Sequence, residues 1–95
     1  MKIGDIVVSI AGHDMGEWYV VESTLGDYVF LVDGKYRLLE NPKQKKIKHV
    51  LKTNFHAKEI ASKLASRQKI YDAEVRKTLN FFKNKLEENV CQKKM

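Results

Sequence analysis

The chain has 95 residues, a formal net charge of +6 and 43% hydrophobic residues. A chain of this length buries roughly 60–65% of the surface it exposes when unfolded, which is enough for one small domain but leaves little room for a deep substrate pocket. The single cysteine, Cys91, excludes an internal disulfide bond and provides no metal-ligand spacing. Neither a signal peptide nor a membrane-spanning apolar run is evident, so the sequence predicts a cytoplasmic protein.

The charge is distributed unevenly along the chain. Residues 1–42 carry three basic and seven acidic side chains, a net charge of −4, whereas residues 43–95 carry fifteen basic and five acidic side chains, a net charge of +10. Such a chain presents a basic region to a polyanion while the remainder repels it. The sequence therefore indicates a polyanionic partner that contacts the second half of the chain.

The first two predicted strands cover about residues 3–10 and 18–22, which are rich in β-branched and aromatic side chains. Gly12 and Gly16 bracket the loop between them, at positions that favour a positive φ or a close approach by a partner's backbone. A third strand is predicted over residues 28–32, where an apolar run suits burial on both faces. These segments predict the beginning of a small antiparallel sheet.

The next segment predicts how the sheet is completed. Asp33-Gly34 is a type I′ hairpin signal and is followed by a predicted short strand over residues 36–39. Asn41-Pro42 then interrupts the pattern. Within residues 43–52, apolar and basic side chains alternate with the period of a strand, which predicts one closing strand with lysines on its outer edge.

Two helices are predicted after the sheet. Apolar side chains recur at helical spacing from Ala57 to Ala65, with Asn54 or a neighbour as N-cap, and residues 66–68 form a break. A second helix carries an apolar stripe formed by Val75, Leu79, Phe82 and Leu86. The stripe either packs on the sheet or forms a protein-binding or dimerising face.

The predicted fold is mainly β. It is a small, five-stranded, SH3-like antiparallel barrel over residues 1–53, followed by a helical C-terminal extension over residues 54–95 that packs on or beside the barrel. Residues 4–21, residues 28–34 and the basic segment 41–53 together resemble the KOW-domain RNA-binding proteins that are similar to large-subunit ribosomal proteins of the 14e type. The start of the second helix, at residues 72–79, also resembles that group.

The resemblance implies that the loop from Gly12 to Gly16 and the basic segment 43–49 lie near RNA. Family loops often place a basic residue just after each glycine, whereas this chain has His13 and Glu17 there, with Asp14 between them. Because carboxylates repel phosphates, the lysine-rich strand becomes the preferred contact. The full set of candidate RNA-binding residues is Gly12, His13, Gly16, Trp18, Arg37, Lys43, Lys45, Lys46, Lys48, His49 and Lys52.

Each candidate also has a structural interpretation. The lysines could form a solvated edge that resists aggregation, and the aromatic side chains that could stack on bases are more often core in a small barrel; these are Trp18, Tyr19, Tyr28 and Tyr36. No catalytic constellation, metal site or cofactor motif is recognisable, so a non-enzymatic protein is expected.

The expected partners are RNA, above all ribosomal RNA, and ribosomal proteins, with a monomer favoured. The alternative is a protein-interaction module that recruits a translation or transcription partner through its aromatic face or its C-terminal helix.

Overall fold

The computed structural model describes the backbone of residues 1–94 and the side chains of residues 1–86. Five strands form one antiparallel sheet in the order β4-β3-β2-β1-β5. They are β1 (Asp5–Ser9), β2 (Trp18–Leu25), β3 (Tyr28–Val32), β4 (Lys43–Lys46) and β5 (Val50–His56). Two helices follow, α1 (Lys58–Ala65) and α2 (Asp72–Lys94). The predicted fold class, a small β domain followed by two C-terminal helices, is confirmed.

A 3₁₀ turn at Ile47–His49 connects the two outer strands of the sheet. The prediction of one continuous closing strand over residues 43–52 is therefore wrong, since β4 pairs with β3 and β5 pairs with β1. Half-buried Ile47 packs against the barrel interior, and its amide donates to the carbonyl oxygen of Asp27 at 2.8 Å. These two contacts anchor the turn that joins the two edge strands of this small barrel-like domain.

The apolar side chains form two clusters, one on each face of the sheet. The barrel interior contains Val7, Tyr19, Val21, Val29, Leu31 and Val50. The opposite face contributes Ile6, Val20 and Val32, which pack against Ala57, Ile60, Val75 and Leu79 from the helical segment. Since successive strand residues point to opposite faces, β1 and β2 must be apolar on both sides, as the sequence has them. Val75 and Leu79 therefore belong to the core, as the structural interpretation of the stripe predicts.

The segment after β3 differs from its prediction. No strand forms over residues 36–39, because the Asp33 carboxylate organises the backbone instead. Its Oδ1 accepts hydrogen bonds from the amides of Lys35, Tyr36 and Arg37, each at 2.8 Å. Amides that bind this carboxylate are not available to a sheet ladder, so a tight loop replaces the expected hairpin.

The transition from sheet to helix lies slightly later than expected. β5 continues through the predicted boundary at residue 53 to His56, so Asn54 is a strand residue and not the N-cap. Ala57 occupies the N-cap position of α1 without a side-chain hydrogen bond. The predicted break at residues 66–68 is confirmed, with Arg67 in the left-handed region at φ 57°. Among the described residues, no helix is both long enough and apolar enough to cross a membrane.

Gly34 holds the loop after β3 against α2. Its φ is +75°, and an added Cβ would clash with the carbonyl oxygen of Asp72 and lie 2.8 Å from the amide nitrogen of Arg76. We expect Gly34→Ala to lower the free energy of unfolding by about 2–6 kcal/mol, since left-handed strain and overpacking each cost about 1–3 kcal/mol. Urea denaturation measures this loss.

Gly26→Ala is the matched control for Gly34→Ala. Gly26 also has a positive φ, +58°, but no atom lies within 4 Å of its added Cβ. Gly26→Ala therefore adds only backbone strain. Its loss of unfolding free energy should be smaller than that of Gly34→Ala by the cost of the clash. Equal losses at both positions would contradict the close packing of Gly34 on α2.

Candidate nucleic-acid interface

Asp14 joins the loop after β1 to strand β4. Its carboxylate accepts from Lys43 Nζ at 2.9 Å, from Lys45 Nζ at 2.8 Å and from Ser9 Oγ at 2.8 Å. The hydroxyl of buried Tyr19 donates to the same carboxylate at 3.2 Å. Lys43 and Lys45, which the sequence predicts as phosphate contacts, thus hold the loop in place.

The electrostatics of this network keep the carboxylate charged. Burial raises the pKa of Asp14, but hydrogen bonds from Lys45, Lys43 and Ser9 outweigh it and hold that pKa far below its usual range. Burial and the neighbouring Asp14 charge together raise the pKa of Tyr19. At neutral pH, the negative charge of Asp14 therefore offsets one of the two positive charges of Lys43 and Lys45.

Lys45 is the more enclosed of the two lysines. Only 10% of its side chain is exposed, against 26% for Lys43. Lys45 also donates to the carbonyl oxygen of Ala11 at 2.8 Å, which satisfies a second acceptor in the loop. Because Lys45 is enclosed and binds two acceptors of the loop, it stabilises the fold and is little accessible to a ligand.

Two of the candidate lysines that remain exposed border a cleft beside the 3₁₀ turn. Lys46 and Lys48 line this cleft of about 470 Å³ together with Asp27, Tyr28 and Ile47. Tyr28 is directly opposite Lys46 in the pairing of β3 with β4, and 36% of the tyrosine is exposed. We call the surface formed by Tyr28, Lys46 and Lys48 the basic cleft. It brings a partly exposed aromatic ring and two exposed lysines to one cleft, whose lining also includes the Asp27 carboxylate.

The other candidates lie elsewhere on the barrel. Gly12, His13 and Gly16 are exposed in the loop after β1, and Lys52 is exposed on β5. His49 is half-buried in the 3₁₀ turn, where its carbonyl oxygen accepts from the amide of Ile10. Arg37 follows the end of β3, whereas Tyr28 begins that strand, so Arg37 lies away from the basic cleft.

Trp18 is part of an aromatic stack and is half-buried. Its ring stacks on Phe55 with centroids 6.3 Å apart, and Phe55 stacks on Phe82 at 4.9 Å. This chain of rings links β2, β5 and α2, and it packs on the cluster beneath the helices. The stacking gives Trp18 a structural role and leaves part of the indole accessible.

Tyr28 is the cleft residue that the candidate set omits. The sequence analysis groups it with the other aromatic side chains that a small barrel usually buries. Its position at the first residue of β3, directly after the Leu25–Asp27 turn, is the signal that predicts exposure, because strand ends are less covered than strand centres. Tyr19, by contrast, is in the core, and Tyr36 is 76% exposed.

Asp5 and His56 connect the beginning of β1 to the end of β5. Buried Asp5 accepts from the Lys2 amide at 2.7 Å and interacts with His56 Nδ1 at 2.9 Å. Burial raises the pKa of Asp5, but the hydrogen bonds from Lys2 and His56 lower it by more, so the pKa lies below its usual value. Both contacts fix the strand ends, which is a structural role. Among the residues that the structure describes, no group of three or more acidic, histidine or cysteine side chains could hold a metal ion.

Comparison with known proteins assigns no family. No protein-family model matches the chain, and no curated protein matches it. The resemblance of residues 4–21 and 41–53 to KOW-domain proteins therefore stays a prediction.

Proposed function

We propose that this protein is a non-enzymatic, cytoplasmic RNA-binding protein, that its RNA is above all ribosomal, and that the basic cleft is its main contact. The observation that carries the proposal is the cleft that Tyr28 shares with two exposed lysines, Lys46 and Lys48. The KOW-like order of motifs in the sequence supports the same conclusion. In this arrangement, lysines bind phosphates and the tyrosine ring offers a face to an unpaired base.

The number of free cations sets the strength of the electrostatic contribution. Lys46, Lys48 and Lys52 are exposed, and the Lys43–Lys45 pair keeps one charge that Asp14 does not offset. Three to four phosphate contacts would follow, with each contact contributing a slope of about −0.7 to −0.9 in a plot of log K against log[salt]. The expected slope is therefore about −2 to −3.5.

A salt titration tests this proposal. Binding of the purified protein to ribosomal RNA is followed by fluorescence anisotropy over a range of salt concentrations, and the slope is read from the plot. A slope between about −2 and −3.5 supports binding through these lysines. Absence of binding at low salt, or a slope near zero, would contradict it.

The alternative, a protein-interaction module, loses part of its proposed surface. Val75 and Leu79 are buried against the sheet, and the Phe82 ring stacks on Phe55. Only Phe81 and Leu86 remain as large exposed apolar side chains on the described part of α2. Because the apolar stripe is largely used within the protein, we favour RNA over a protein partner.

A further inference from the structure

A second concave surface lies between the loop after β3 and helix α2. This groove of about 440 Å³ is lined by aromatic Tyr36 and Trp18, by basic Lys35, Arg76 and Lys83, and by the amide of Asn80. We call it the Tyr36 groove. Tyr36 follows the end of β3, whereas Tyr28 begins that strand, so the groove and the basic cleft lie at opposite ends of β3, about 14 Å of strand apart.

The loop that carries Tyr36 is held firmly. Its amides bind the Asp33 carboxylate, and its Gly34 carbonyl oxygen accepts from Arg76 Nη1 at 3.0 Å. A further bond joins the Leu39 amide to Asp72 Oδ1 at 2.8 Å. The exposed ring is therefore presented by a backbone that is already ordered, which reduces the entropy lost when a ligand binds.

The charges of the groove favour an anionic ligand. Lys35, Arg76 and Lys83 contribute three cations, and the lining carboxylates are those of Asp33 and Glu17. Asp33 Oδ1 is already occupied by three backbone amides, and the three cations outnumber the two carboxylates. Asn80 offers both a donor and an acceptor, which suits the polar edge of a base.

We infer that the Tyr36 groove is a second RNA-contact site that takes one unpaired nucleotide. The base stacks on Tyr36, and the adjoining phosphates lie near Lys35 and Lys83. This inference rests on the proposed RNA-binding function and adds that unpaired, single-stranded RNA is the class of ligand. Two contacts at opposite ends of one strand bind the same RNA together, which increases the overall affinity beyond that of either contact alone.

The chain carries its own reporter for this site. Trp18 is the only tryptophan, and it lines the Tyr36 groove. A base that enters the groove changes the indole environment, so selectively excited tryptophan fluorescence measures occupancy directly. The probe is a short oligouridylate, added to the full chain at low salt.

Tyr36→Ala tests the stacking contact. We expect it to weaken oligouridylate binding about 5- to 150-fold, which corresponds to the usual range for removing one base–aromatic stack. Tyr71→Ala is the matched control, since Tyr71 is also exposed and carries a lysine over its ring. The distance from Lys69 Nζ to the Tyr71 centroid is 5.2 Å, against 5.0 Å from Lys35 to Tyr36. Tyr71→Ala should leave the affinity unchanged.

The outcomes separate this inference from the proposed function. If Trp18 fluorescence does not respond to oligouridylate, or if both tyrosine variants bind like the unchanged protein, the Tyr36 groove is not an RNA site. Loss of ribosomal RNA binding on charge reversal of the basic cleft can still be observed in that case. A Trp18 response that persists in the charge-reversed cleft and disappears in Tyr36→Ala supports the inference. A response to an acidic peptide but not to oligouridylate would overturn it.

Discussion

Reversing the charge of Lys46 and Lys48 together, by Lys46→Glu and Lys48→Glu, lowers the affinity for ribosomal RNA at least about 25-fold at 0.1 M salt. Each phosphate contact contributes a slope of about 0.7 to 0.9, so two lost contacts cost about 25- to 60-fold at that concentration, and repulsion by the new carboxylates adds to this. Both side chains are exposed, so the fold should persist. Fluorescence anisotropy with labelled ribosomal RNA measures the change.

A second pair of exposed lysines provides the control for net charge. Lys58→Glu with Lys69→Glu changes the total charge by the same amount, but these residues lie on α1 and in the segment before α2. Their reversal should weaken binding only slightly, through the long-range field. If the two double variants lose affinity equally, attraction is non-specific and the basic cleft is not the contact. If neither loses affinity, the basic cleft is not the RNA contact.

Periodicity in the sequence was sufficient to predict the elements whose side chains face a core. The apolar residues of β1, β2 and β3 alternate or run continuously, and Val75 and Leu79 recur at helical spacing, so these elements were predicted correctly. The prediction of one continuous closing strand is wrong because the alternation of residues 46–48 is the same in an extended strand and in a turn. Only the contact of Ile47 with the barrel interior and with Asp27 decides between these conformations.

The candidate site was predictable in its charge but not in its detailed geometry. The sequence identifies the basic segment but predicts that Asp14 repels RNA, whereas Asp14 binds Lys43 and Lys45. Asp14 and Lys45 are 31 positions apart, and their contact depends on how β4 approaches the loop after β1. Likewise, Asp33 accepts from three amides that follow it, and two of them, Tyr36 and Arg37, belong to the predicted strand. Side-chain interactions that replace backbone pairing leave no periodic signal.

The ion-pair network around Asp14 makes the loop one of the most sensitive parts of the protein. Asp14→Asn keeps the size of the side chain but removes the charge that balances Lys45, whose side chain is only 10% exposed. We expect the free energy of unfolding to fall by about 3 kcal/mol, at the lower end of the range for removing one partner of a buried ion pair. For a domain of this size, that loss lowers the Tm by about 10–25 °C, which thermal unfolding followed by circular dichroism measures.

Glu17→Gln is the control for this substitution, because Glu17 lies close by, undergoes the same chemical change and is exposed. Its effect should stay within about 0.5 kcal/mol. An equal loss for both variants would mean that Asp14 stabilises the protein no more than an exposed carboxylate does.

The pH dependence gives Asp14→Asn an independent readout. Because the folded-state pKa of Asp14 is depressed, its stabilising contribution is present above the unfolded value of about 3.9 and is lost as the pH falls toward the folded value. The difference in unfolding free energy between the unchanged protein and the variant should therefore narrow below about pH 4. At neutral pH, the variant also lacks the negative charge that Asp14 places beside Lys43. Its RNA affinity, measured below its Tm, should consequently be equal or higher, which would separate a lysine pair that builds the loop from lysines that bind the ligand.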